Sequence, residues 1–236
     1  MKNFTFKAVS GLCGFAALMI SAMGTVSSCS NLDYESDGPL FPDGIVTVKT
    51  TDSGVSYFQL DAKTTLEPVD WKNPYKKEVR ALVSYEELAD ASGLCSKKVK
   101  VKTIDSVLTK SAVPFDDEFR KGADDPVELV FDWLTNCEDG YLTIHFAAQW
   151  GGNNVTHYVH LGIDPENPRE IYFRHDDNGD TAYSWLDGVV SFKIDDLMGD
   201  LADGEELTLH WTTFNGQKTT KTLKYYKRFS LSDSVK

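Results

Sequence analysis

The stretch Glu138-Asp139-Gly140-Tyr141-Leu142-Thr143-Ile144-His145-Phe146-Ala147-Ala148-Gln149-Trp150 decides how this chain folds. Asp-Gly readily takes the positive φ that a tight hairpin turn needs. After it, Leu142, Ile144, Phe146, Ala148 and Trp150 alternate with Thr143, His145 and Gln149. A helix would return its apolar residues every three or four positions, so a period of two marks a half-buried strand.

The same pattern extends in both directions. Upstream, Val127, Leu129, Phe131 and Trp133 share one face, with Glu128 and Asp132 opposite. Downstream, residues 155–163, 170–175, 188–194, 206–214 and 218–226 read as strands. Asp177-Asn178-Gly179-Asp180 and Asn215-Gly216 are turn signals between them. Seven strands with regular turns predict an antiparallel β-sandwich. Nearer the N-terminus, residues 45–49 and 56–60 flank Thr51-Asp52-Ser53-Gly54 as a hairpin, and residues 63–69 form a weaker strand. Val79, Ala81, Val83 and Tyr85 alternate with Arg80 and Ser84. In residues 97–104 the lysines at 97, 98, 100 and 102 face outward, a device that also protects a sheet edge. Five short strands fit a small closed Greek-key barrel of the OB type, and a five-stranded meander would give the same pattern.

Residues 111–125 break the periodicity and read as a linker or connecting loop ending in Gly122-Ala123-Asp124-Asp125-Pro126. Only residues 85–91 and 194–201 suggest helical turns. The chain is therefore expected to be all-β, with an OB-like barrel over 42–113 and a β-sandwich over 114–236.

Residues 1–28 read as a signal peptide. Lys2 and Lys7 precede an uncharged apolar run over 8–23 that is short for a membrane span. Val26-Ser27-Ser28-Cys29 resembles a lipobox, in which the Cys29 thiol is acylated with palmitate-type chains and the chain is cut before it. More than one acyl chain gives stable anchoring. Residues 29–41 are polar and acidic, as a tether should be. Ser30 in place of Asp removes an inner-membrane retention cue. The expected location is the outer membrane, facing the periplasm or the cell surface.

Charge is unevenly placed. Residues 40–110 hold 11 Lys and Arg against 10 Asp and Glu, whereas residues 111–236 hold 11 against 23. An acidic half disfavours nucleic acid and anionic lipid as partners of that half. After processing, Cys95 and Cys137 remain. In an oxidising compartment they could pair and clamp the two domains, or stand as two isolated thiols.

Little in the sequence points to chemistry. His157 and His160 are three apart, so on a strand they face opposite ways and cannot share an ion. Asp176-Asp177-Asn178-Gly179-Asp180 lacks the ligand spacing and closing Glu of a calcium loop, and a hairpin turn is the better reading. No nucleotide-binding glycine loop or nucleophile elbow occurs. The expectation is a protein without catalytic residues, cofactor or metal. Asp105-Ser106-Val107, Asp180-Thr181-Ala182 and Asp233-Ser234-Val235 resemble the O-glycosylation sequence used in Bacteroidetes, which marks Ser106, Thr181 and Ser234 as candidate sites.

Several stretches, in this order and spacing, resemble the NigD-like lipoproteins of Bacteroidetes: Tyr57-Phe58-Gln59-Leu60-Asp61, Arg80-Ala81-Leu82-Val83, Val101 to Lys110, Asp125-Pro126-Val127-Glu128, Asp132-Trp133, Glu138 to Leu142 and Arg174 to Asp180. The resemblance implies an N-terminal OB-type domain and a C-terminal β-sandwich. It brings no catalytic residues. It implies an accessory or immunity role beside a bacteriocin, with an envelope or bacteriocin-related protein as partner and the membrane reached through the lipid. Arg80 and Arg174 are the charged residues in its most recognisable stretches and are expected to make structural salt bridges. The alternative is a surface glycan-binding lipoprotein that stacks sugar rings on Trp150, Tyr183 and Trp185.

Overall fold

The computed structural model describes residues 42–91, 95–151, 155–181 and 184–228. The signal peptide, Cys29, the tether, Tyr183 and Ser234 lie outside the described residues.

The first domain is a closed barrel of β1 (Gly44–Thr50), β2 (Ser56–Gln59), β3 (Thr65–Val69), β4 (Val79–Asp90) and β5 (Lys97–Ser106), in the order β1-β2-β3-β5-β4. β1 closes on β4, pairing Gly44 with Val83 through Val48 with Val79. Val46, Val48, Phe58, Leu66, Ala81 and Val99 point inward and fill it. Two expectations fail here. Residues 85–91 make no helical turn. β4 runs on to Asp90 with irregularities at Ser84/Tyr85 and Glu87/Ala89, because pairing with β5 outweighs the weak helix preference of Glu86-Glu87-Leu88-Ala89. The lysines of β5 guard no edge either: β3 and β4 flank that strand on both sides.

The second domain contains ten strands among the described residues, three beyond the seven expected. Those that fall in the expected stretches are β8 (Glu128–Val130), β10 (Tyr141–Trp150), β11 (Tyr158–Ile163), β12 (Glu170–Asp176), β13 (Ser184–Lys193), β14 (Glu206–Thr212) and β15 (Lys218–Tyr226). The additions are β6 (Leu108–Ser111), β7 (Val113–Pro114) and β9 (Asn136–Glu138), too short to show a period. Their path is β6-β13-β10-β9-β15-β14-β12-β11-β7, with β8 on β10. β6 and β7 are separated only by Ala112, yet they lie at opposite ends of that path. β6 pairs parallel with β13, and β7 pairs parallel with β11. One short segment thus crosses between the two layers and covers an edge of each.

This placement moves the domain boundary. Leu108 already pairs with Val190, so the chain leaves the barrel at Val107, ahead of the expected division at 113/114. The expected linker is also ordered structure. After β7, Asp116 caps α1 (Asp117–Lys121) by accepting the Phe119 amide. The Phe119 ring lies over Gly162 on β11, where a Cβ would approach it to 2.7 Å. The second short helix, α2 (Asp195–Met198), falls within the stretch expected to turn.

The sandwich core runs through Leu142, Ile144, Phe146, Leu161, Phe173 and Phe192, which the alternation of β10 and its neighbours aims inward. Asp139 and Gly140 have φ of 54° and 79°, and Asn178 and Gly179 have 54° and 71°, the paired positive values of a tight hairpin turn.

Candidate functional site

The β9–β10 turn that fixes the fold also forms the joint between the domains. Arg80 points outward from β4 and is 0% exposed. Its Nη2 donates to Glu138 Oε1 at 2.6 Å and to Asn136 Oδ1 at 3.0 Å, and its Nη1 donates to Thr47 Oγ1 at 2.9 Å. Arg228 reaches the same carboxylate from the C-terminal side and donates through Nη1 to the Gln59 carbonyl at 2.8 Å. Lys49 pairs with Asp139 at 2.8 Å, and the Tyr141 hydroxyl donates to Glu78 at 2.6 Å. Burial pushes the Arg80 guanidinium below its ordinary pKa, and the Glu138 charge pulls it back. A buried guanidinium persists only when paired and hydrogen-bonded. The salt bridge expected for Arg80 is thus present, and it crosses the domain boundary.

A second buried polar cluster lies at the end of the sandwich formed by the Asn178-Gly179 turn. His157 Nε2 is 3.1 Å from Asp180 Oδ2, and His157 Nδ1 is 2.9 Å from His175 Nε2. A carboxylate only accepts, so His157 Nε2 donates to Asp180, and the His157–His175 contact is a hydrogen bond between the two rings whose direction follows the tautomer. Burial lowers the His175 pKa, and the neighbouring His157 lowers it further. The Gly151 amide holds Asp180 below the usual carboxylate range, with His157 adding to the effect. Trp150 stacks on His157 with centroids 4.1 Å apart. Period-two reasoning separated His157 from His160 correctly, since His160 lies on the outward face of β11. It could not see His175 arriving from β12.

The acidic turn behaves as a turn. Carboxylate oxygens of Asp125, Asp176 and Asp177 come within 4.8 Å of one another. Each caps an amide: Asp125 accepts from Asp177, Asp176 from Asn178, and Asp177 from Gly179. Among the described residues Arg174 has no salt-bridge partner, against the expectation. Its Nη1 donates to the carbonyls of Arg120 and Gly122 at the end of α1, and its guanidinium lies over Phe119, so it fastens the helix to the sheet.

Cys95 and Cys137 are both free thiols. Cys137 is buried on β9 and Cys95 is half-buried ahead of β5, and burial pushes both thiols up. Ser106 and Thr181 are exposed. Among the described aromatics, Trp185 is exposed, whereas Trp150 is taken up by its stack on His157.

A five-stranded OB barrel joined through a buried ionic contact to a β-sandwich closed by one crossing segment defines a two-domain all-β protein. Residues 45–107 match the NigD-like N-terminal OB domain, and residues 106–225 match the NigD-like C-terminal beta sandwich domain. The chain belongs to the NigD-like family. These matches also place the division at Val107. A toxin-related protein from Parabacteroides distasonis is 31% identical, with a TM-score of 0.62 over 78% of this chain and 92% of that one. A NigD-like immunity protein from Bacteroides caccae shares the fold at 22% identity and a TM-score of 0.53, over 75% of this chain and 90% of that one. A lipoprotein from Bacteroides fragilis does so at 10% identity and 0.53, over 79% and 98%. No protein of curated function matches the sequence.

Proposed function

We propose that this protein is a non-catalytic binding or accessory module held at the outer membrane by lipid on Cys29, with a protective role against a bacteriocin-like protein. The observation that carries this reading is the joint. In two-domain enzymes the crevice between domains commonly holds the reactive groups. Here that position is filled by Arg80 and Arg228, both engaged by the one carboxylate of Glu138. Two domains locked in this way make a rigid scaffold whose outer surface is free to bind. The descriptions of the relatives as toxin-related and as an immunity protein support the protective role, and the lipoprotein relative supports the envelope location.

The test is deletion of the gene followed by challenge with bacteriocin-containing supernatants of neighbouring strains. Raised sensitivity, restored by the wild-type gene and not by Cys29→Ser, is the expected result. Unchanged sensitivity removes the protective role. Labelling with an alkyne palmitate analogue tests the anchor separately.

A further inference from the structure

Among the described residues the sandwich exposes nine large apolar side chains, and four of them, Phe131, Trp133, Trp185 and Phe214, are linked in a ring. Trp185 on β13 packs on Phe214 in the β14–β15 turn, with centroids 4.6 Å apart. The Phe214 amide is held by Glu128 on β8 at 2.8 Å. β8 runs into Phe131, which packs on Trp211. Asp132 comes next, with Oδ2 2.9 Å from His145 Nδ1, and then Trp133. On the other side of the His145 ring, Nε2 is 3.8 Å from Asp187, which shares a strand face with Trp185. Trp133 and Trp185 are 53% and 48% exposed, and Phe131 and Phe214 are each 41% exposed.

We propose that this ring is the docking surface of the module, and that its partner is a basic protein segment carrying apolar side chains between its cations. The proposal rests on the binding-module reading and assigns it a place and a partner chemistry. Tryptophan-centred patches are the usual anchors of protein interfaces. Charge selects the partner. Glu128, Asp132 and Asp187 punctuate the ring, and Lys221 is engaged with the Phe131 ring at 5.4 Å, while Lys218 reaches out into solvent. The Lys221 contact also shows that an ammonium fits on this aromatic surface. The surrounding domain carries 23 acidic against 11 basic residues over 111–236, which favours encounter with a cationic partner.

The test is calorimetric titration of the mature chain with a short peptide alternating Arg and Leu, beside its Glu and Leu counterpart. The basic peptide is expected to bind, more weakly as salt rises, and the acidic one is not. Trp133→Ala with Trp185→Ala should weaken binding about tenfold or more. Trp185→Phe should restore most of the affinity lost in Trp185→Ala. Asp117→Asn with Glu118→Gln, on the distant α1, should change nothing. Binding that ignores the tryptophans, or falls equally with the α1 variant, would overturn the surface in favour of diffuse charge attraction. Equal binding of the acidic peptide would overturn the partner chemistry. So would quenching of Trp133 and Trp185 by oligosaccharides in place of the basic peptide. None of these outcomes touches the anchor or the protection assay, which stand or fall separately.

Discussion

Arg228 Nη1 donates a 2.8 Å hydrogen bond to the carbonyl of Gln59, residues 169 positions apart. Together with the contact from Arg228 to Glu138, it makes the last described residue of the sandwich a strap across the barrel. Arg228→Ala removes a charged donor from a buried joint and should cost about 1.5–3 kcal/mol. Urea unfolding followed by far-UV circular dichroism reads this as a lower midpoint.

Arg80→Met should cost more, about 3–5 kcal/mol, because it strips Glu138 of one of its two guanidiniums and leaves Asn136 and Thr47 short of a donor. Arg80→Met with Arg228→Ala should cost more than the sum of the single changes, since either arginine alone still compensates Glu138 and the two repel each other across it. A double-mutant cycle in urea measures the coupling directly, and strict additivity would mean that the two arginines act independently.

Acid should loosen the sandwich. The His175 pKa is depressed in the folded protein, mainly by burial and then by His157. The unfolded chain therefore binds more protons wherever the pH lies between the folded value and about 6.5, and stability rises with pH across that window. It is lost as the pH falls below about 6.5. His160, also depressed by burial and by the nearby Lys110, adds to the same slope. Thermal melts from neutral to mildly acid pH should show Tm falling, and His175→Gln should flatten part of that fall.

At two glycines an added Cβ would come to the same 2.7 Å from an aromatic ring, yet the two sites should respond differently. A Cβ at Gly188 meets Phe146, which is locked in the core, so Gly188→Ala should cost about 1–3 kcal/mol. A Cβ at Gly162 meets Phe119 on the exposed helix α1, which can lift away. Gly162→Ala should cost less and expose α1 to protease.

A reducing agent should leave the melting temperature unchanged, because Cys95 and Cys137 are free thiols. Thiol titration of the mature acylated chain is expected to give two thiols after denaturation and slow reaction before it, Cys137 slowest because burial suppresses its thiolate. Finding no titratable thiol would mean that Cys95 and Cys137 pair.

The alternation in β10, the Asp139-Gly140 and Asn178-Gly179 turns and the five strands of the barrel were legible because each is set by neighbours two residues apart. β6, β7 and β9 were not, because strands of two to four residues carry no period and form only where a long strand offers an open edge. Residues 85–91 were misread for the converse reason: a local helix preference yielded to pairing with β5. The Trp185 and Trp133 surface was only half visible: Trp185 stood out as an aromatic for stacking, but alternation set Phe131 and Trp133 on the face of Val127 and Leu129, and β8 ends at Val130 before it reaches them.

The sequence by itself determined the all-β class, the two domains, the hairpin turns and the resemblance to NigD-like proteins, all properties of local pattern and residue order. Tertiary structure alone decided that Arg80 and Arg228 share Glu138, that His175 meets His157, and that one seven-residue crossing segment, Leu108–Pro114, covers both layers of the sandwich. The physical reason is common to all three. Each joins groups far apart in the chain, and only burial, by making an unpaired charge or open strand edge costly, dictates which of many possible partners is taken.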